Sequence, residues 1–128
     1  MGSRYLIDSN VVIDFLAGKL PKQGHAFVCR IIDEGPNISV ITKMEILGFA
    51  VTPDVQDILQ KLITASLVYS LTESVVKNTI ELRKQLRIKI PDAIIAATAL
   101  TENMVLVTHN TADFVNISGL SLVDPWGK

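Results

Sequence analysis

Short apolar runs alternate along this chain with longer stretches whose apolar residues recur every three or four positions. The short runs read as strands and the longer ones as helices. Tyr5-Leu6-Ile7 predicts a buried first strand, followed by a helix over Val11–Ala17 that Ser9 or Asn10 is suited to cap and Gly18 and Pro21 end. Phe27, Val28, Ile31 and Ile32 mark a helix over Gly24–Glu34, stopped by Gly35-Pro36. A second strand is expected over Asn37–Val40, then a short helix over Lys43–Phe49 capped by Thr42, with Glu45 at its third position. Pro53 opens a helix reaching Thr64, and Leu67-Val68-Tyr69 is a third strand.

Thr72 is placed to cap a long helix over Glu73–Arg87, with Val75, Val76, Ile80, Leu82 and Leu86 facing inward. Pro91 starts the helix Asp92–Thr101, which is apolar nearly all round and is expected to pack through its alanines. Val105–Thr108 forms a fourth strand, Asn110–Phe114 a short polar turn or helix, and Leu120–Val123 an edge strand. Strands alternating with helices predict an α/β fold, a mostly parallel sheet of four to five strands covered on both faces. No repeat, low-complexity run or linker divides the chain, so residues 1–128 are expected to form one domain.

Composition narrows the functions. Apolar residues make up 48% of the chain, high for a sequence this short, and some of that surface is expected to meet another subunit or partner segment. The net charge is −1, so no global positive field draws in nucleic acid, and any such contact needs a local patch. The single Cys29 excludes an internal disulfide or a cysteine-based zinc site, and its neighbours predict a small buried hydrophobe. No stretch approaches a membrane span and the start lacks a signal-peptide pattern, which predicts a cytoplasmic protein.

Four acids lie beside apolar segments rather than on solvated faces. Asp8 ends the first strand, Glu45 follows the second, Asp92 starts the most apolar helix and Asp113 follows the fourth strand. In a parallel sheet with strands one, two and four as neighbours, all four open onto the carboxyl edge, where such folds bind ligands. Each of Glu45, Asp92 and Asp113 taken singly serves equally well as a helix-terminal charge. Carboxylates crowded together repel, and a hard divalent ion such as Mg²⁺ or Mn²⁺ removes that conflict. Such ions activate water for attack on a phosphodiester. Arg83, Lys84, Arg87 and Lys89, just ahead of Asp92, are either a solvated helix face or a patch that holds an RNA backbone. His25 is expected on a helix surface and His109 in a loop near the acids. There is no glycine-rich phosphate loop, zinc-protease motif or nucleophile elbow.

Leu6-Ile7-Asp8-Ser9-Asn10-Val11-Val12-Ile13-Asp14, Ile41-Thr42-Lys43-Met44-Glu45-Ile46-Leu47 and Pro91-Asp92-Ala93-Ile94-Ile95-Ala96-Ala97-Thr98-Ala99 together resemble the PIN domain. With Val107-Thr108-His109-Asn110-Thr111-Ala112-Asp113-Phe114, their order and spacing resemble the VapC toxins of bacterial toxin–antitoxin pairs. The resemblance implies a three-layer α/β/α sandwich and a Mg²⁺- or Mn²⁺-dependent endoribonuclease. It also implies a homodimer, held in check by a VapB-like antitoxin whose tail enters the cleft. Position by position, it implies Asp8, Glu45, Asp92 and Asp113 as metal-binding acids. Asn10 and Asn110 would support them by hydrogen bonding, and Thr108 would orient the neighbouring loop. Ser9 stands where the family often has threonine.

Two other functions fit parts of the pattern. A Mg²⁺-dependent phosphohydrolase would use Asp8 as nucleophile, although it usually wants an acid two residues on, where this chain has Asn10. A PIN-like scaffold would bind RNA or protein partners without cutting.

Overall fold

The computed structural model describes residues 3–127. Five short strands, Tyr5–Ile7 (β1), Asn37–Ser39 (β2), Leu67–Tyr69 (β3), Val105–Val107 (β4) and Leu122–Val123 (β5), form one sheet in the order β3-β2-β1-β4-β5. Every neighbouring pair is parallel, so all the carboxyl ends share one edge. β1 lies at the centre, with β2 and β4 on either side.

Side chains on a strand alternate between faces, and the two cores show it. Leu6 and Leu106 point into one layer with Val75, Leu82, Ile95 and Phe114. Ile7 and Val107 point into the other, with Val11, Val28, Ile46 and Leu59. Helices Glu73–Gln85 (α5) and Ile90–Thr101 (α6) cover the first face. Ser9–Leu16 (α1), Lys22–Asp33 (α2), Val40–Leu47 (α3) and Pro53–Thr64 (α4) cover the second. The result is the expected α/β/α sandwich.

α6 is the most buried helix, with every residue from Ala93 to Ala99 inside. Its alanines allow close approach to α5 and the sheet, as an all-round apolar helix requires. Asn103 (φ 54°) turns the chain out of α6 in the left-handed region, which asparagine tolerates, and Met104 N–H then bonds back to the Ala99 carbonyl.

Four local expectations are corrected. The N-cap of α1 is Asp8, not Ser9 or Asn10, because its carboxylate accepts the Ser9 N–H and the helix begins at once. α3 likewise starts at Val40, with Ser39 rather than Thr42 as its cap, which moves Glu45 from the third position into the second turn. Ile80 is exposed, and Thr79 takes the inward place on α5 by returning its hydroxyl to the Val75 carbonyl. Cys29 is half-buried, its thiol 3.9 Å from Asp33 Oδ2 on the same helix. Among the described residues, no helix is long and apolar enough to cross a membrane.

Candidate active site

Asp8 sits where β1 ends and α1 begins, at the middle of the sheet's carboxyl edge. Its carboxylate is buried and accepts three hydrogen bonds. Oδ1 takes the Ser9 N–H (2.9 Å), while Oδ2 takes the Thr108 hydroxyl (2.9 Å) and the Asn10 amide (3.1 Å). Burial raises its pKa above the ordinary 3.8, and Glu45 adds repulsion, whereas the three hydrogen bonds pull it back.

Glu45 approaches from α3, and its Oε1 accepts the Ser9 hydroxyl at 3.0 Å. This contact gives Ser9 a role at the site that capping preferences alone do not indicate. Asp92 lies in the first turn of α6 and is half-buried. Its pKa is raised first by burial, then by repulsion from Asp8 and from Asp113, with Lys89 opposing. Asp113 closes a short 3-10 turn, Thr111–Asp113, and the Asn110 amide donates to its Oδ2 at 2.6 Å. The four acids therefore come together on one edge, electrostatically linked as Glu45 to Asp8, Asp8 to Asp92, and Asp92 to Asp113.

Thr108 and Asn10 connect the strands beneath these acids. Besides donating to Asp8, the Thr108 hydroxyl accepts the Asn110 N–H at 3.1 Å and so shapes the loop that carries Asp113. Asn10 donates to Asp8 and accepts the His109 N–H at 3.1 Å.

The basic stretch divides in two. Arg83 donates to the Ile88 carbonyl at 2.7 Å and braces the α5–α6 loop, and Lys84 pairs with Glu81 at 3.5 Å on the exposed helix face. Arg87 and Lys89 instead line a cavity of about 320 Å³ with Asp92, Asp113 and Asn116, over apolar Leu86 and Ile88. The cavity thus brings two carboxylates and two cations together.

The donor set consists of carboxylate oxygens, as a hard divalent cation requires, and the mutual repulsion is the penalty such a cation relieves. Among the described residues, no three His, Cys, Asp or Glu side chains already stand within joint ligating reach. The chemistry of the set fits a divalent ion.

Known proteins agree with this architecture. The PIN domain family model matches residues 5–120. The chain is similar to one in a toxin-antitoxin complex from Klebsiella pneumoniae, with 27% identity, a TM-score of 0.75, and coverage of 97% of this chain and 99% of that one. It is also similar to a chain of VapBC-1 from nontypeable Haemophilus influenzae, with 26% identity, a TM-score of 0.76, and coverage of 94% and 97%. DNA-bound VapBC from Salmonella typhimurium shares the fold at 22% identity and a TM-score of 0.78, over 97% and 99% of the two chains. No curated protein matches in sequence. On the match spanning β1 to the approach of β5, with four acids gathered on one sheet edge, the chain belongs to the PIN domain family.

Proposed function

We propose that this chain is the nuclease toxin of a VapBC-type pair, an endoribonuclease that hydrolyses RNA phosphodiester bonds with Mg²⁺ or Mn²⁺. The observation that carries the reading is a buried Asp8 at the carboxyl edge of a parallel sheet, held by Thr108 and Asn10, with Glu45 bonded to the adjoining Ser9 and with Asp92 and Asp113 lining one cavity. Nothing in the fold needs the repulsion among these acids, and a divalent cation relieves it.

Asp8, Glu45, Asp92 and Asp113 would hold the cation. Once bound, it supplies an activated water and charge stabilisation for the leaving oxygen. The protein's own part is orientation and binding. Thr108 and Asn10 aim the Asp8 carboxylate, Asn110 steadies Asp113, and Ser9 steadies Glu45. Arg87 and Lys89, which line the same cavity as Asp92 and Asp113, suit the RNA backbone. Arg83 and Lys84 contribute less, because each already has a partner within the chain.

The phosphohydrolase reading is weaker, because the position two residues after Asp8, where that chemistry usually wants a second acid, is Asn10, whose amide donates to the Asp8 carboxylate. An antitoxin partner is supported by the toxin-antitoxin and VapBC complexes among the similar structures. Exposed Met44, Phe49, Val51, Val55 and Ile58, on and between α3 and α4, supply apolar surface for such a partner or for a second copy in a homodimer. An RNA substrate and an antitoxin partner both fit a protein that works in the cytoplasm. Incubating the purified protein with total cellular RNA and Mn²⁺, then sequencing the new ends, tests the assignment. A few defined cut sites support a toxin nuclease, and intact RNA supports a binding scaffold.

A further inference from the structure

The last residues of the described chain return to the site. After β5, the Asp124 side chain is only 2% exposed. Both its oxygens lie 3.1 Å from His109 Nδ1, and Oδ1 also accepts the Trp126 N–H at 2.9 Å. A carboxylate only accepts, so Nδ1 carries the proton and the ring has one orientation. The Trp126 indole lies 5.2 Å from the imidazole centroid at 37°, and its Nε1–H donates to Asp14 Oδ2 on α1 at 3.2 Å. Pro125 is buried, and its carbonyl oxygen occupies the space that a Cβ on Gly24 would need. The segment is therefore wedged between α1, α2 and His109.

His109 in turn touches the acid edge through its backbone. Its N–H donates to Asn10 Oδ1, and this contact and the Asp8 carboxylate together fix which way the Asn10 amide points. With Oδ1 held by His109, Nδ2 faces Asp8 Oδ2 and donates to it. Turned over, the amide would set an oxygen against a carboxylate.

We propose that Asp124 and His109 are positioning residues of the cleavage site: the Asp124-Pro125-Trp126 segment holds His109 so that its N–H locks the Asn10 amide onto Asp8. The inference rests on the nuclease reading of this edge, but its geometry is measurable without cleavage. Neither residue touches the reacting atoms. Their effect passes through Asn10.

The test compares Asp124→Ala, Asp124→Asn and His109→Ala with the unaltered protein in two measurements. The first is amide NMR on the metal-free protein, reading hydrogen exchange at the His109 N–H and the side-chain amide resonances of Asn10. Asp124→Ala is expected to speed His109 exchange about tenfold or more and to shift the Asn10 amide towards free values. The second is Mn²⁺-dependent cleavage of an RNA oligonucleotide. Here kcat is expected to fall about tenfold or more in Asp124→Ala with little change in KM, as for a lost outer support of a metal ligand. Asp124→Asn keeps an acceptor for both donors and restores both readings. His109→Ala breaks the same tie from its exposed side and shifts both in the same direction, which covers the case in which Asp124→Ala fails to fold.

An Asn10 amide and a position-109 backbone N–H exchange unchanged in Asp124→Ala and His109→Ala overturn the proposal. So does equal loss in Asp124→Ala and Asp124→Asn accompanied by general unfolding, since that marks a purely structural carboxylate. If the unaltered protein cuts no RNA, the nuclease reading fails, and the amide measurements alone decide whether the lock exists.

Discussion

The hydroxyl of Thr108 donates to Asp8 Oδ2 at 2.9 Å, so the residue just beyond β4 holds the carboxylate just beyond β1. Both side chains are buried, and the same hydroxyl takes the Asn110 N–H. Thr108→Val leaves the buried Asp8 carboxylate and the Asn110 N–H with one partner fewer. It is expected to cost about 1–3 kcal/mol of stability and to lower cleavage about 10- to 100-fold. Thr108→Ser keeps the hydroxyl and should recover most of both. Thermal melting and cleavage rates of the pair check this.

Burial and the charges of Asp8 and Asp113 raise Asp92 above its ordinary 3.8. A raised carboxyl binds its proton more tightly folded than unfolded, so its contribution favours folding at low pH. That contribution is lost as pH rises from the ordinary value through the raised one. Asp8, raised by burial and Glu45, behaves in the same sense. Asp92→Asn is therefore expected to raise the melting temperature at pH 7 in EDTA. The gain should stay under about 1 kcal/mol, because the half-exposed charge is screened, and should vanish once the acids are protonated. Melting curves across pH read this directly.

Divalent ions should reverse the sign of that effect. A site built by these acids gains roughly 2.7 kcal/mol at a free ion concentration one hundred times Kd. Mg²⁺ or Mn²⁺ is expected to raise the melting temperature of the unaltered protein and to leave a variant lacking both Asp8 and Asp92 carboxylates unmoved. EDTA should return the unaltered protein to its starting value.

Arg87 and Lys89 share a cavity with Asp92 and Asp113, whereas Arg83 braces the Ile88 carbonyl. Arg87→Ala and Lys89→Ala are expected to weaken RNA binding and to flatten its dependence on salt by about one counterion each. Arg83→Ala should instead lower the melting temperature while leaving that slope nearly unchanged. Titrations of a fluorescent RNA at several salt concentrations separate the two classes.

Gly24 is required by the close approach of Pro125 rather than by its backbone angles. Gly24→Ala is expected to cost about 1–3 kcal/mol, despite alanine's better helix propensity, by pushing the Asp124–Trp126 segment away. Chemical denaturation measures it.

Much of this arrangement is legible in the sequence, for identifiable reasons. Tyr5–Ile7 and Leu67–Tyr69 are apolar runs too short for helices, and Ala93–Ala99 is too uniformly apolar for anything but a buried helix. Asp8 and Asp92 are conspicuous because each is a charge at the margin of such a segment. Local signals fail where two caps compete. Ser39 and Thr42 both suit a helix start, and the β-branched Val40 and Ile41 prolong the appearance of a strand, yet the helix begins at Val40. Glu45 still reaches the edge because its longer side chain meets Ser9 from the second turn. The His109–Asp124 contact leaves no local mark, since it joins the ends of two neighbouring strands and has no periodicity. Ile80 misleads for the opposite reason: its spacing suits an inward face, but Thr79 fills that place by bonding its own helix.

The most direct measurement is cleavage of total cellular RNA by purified protein in Mn²⁺, Mg²⁺ or EDTA, alongside Asp8→Asn. Asp8 is the acid that the strand, the cap, Asn10 and Thr108 all converge on. A metal-dependent nuclease predicts cuts at a few defined sites, present with the divalent ion, absent in EDTA and absent in Asp8→Asn. Cutting that persists in EDTA or in Asp8→Asn would contradict it, as would intact RNA under every metal.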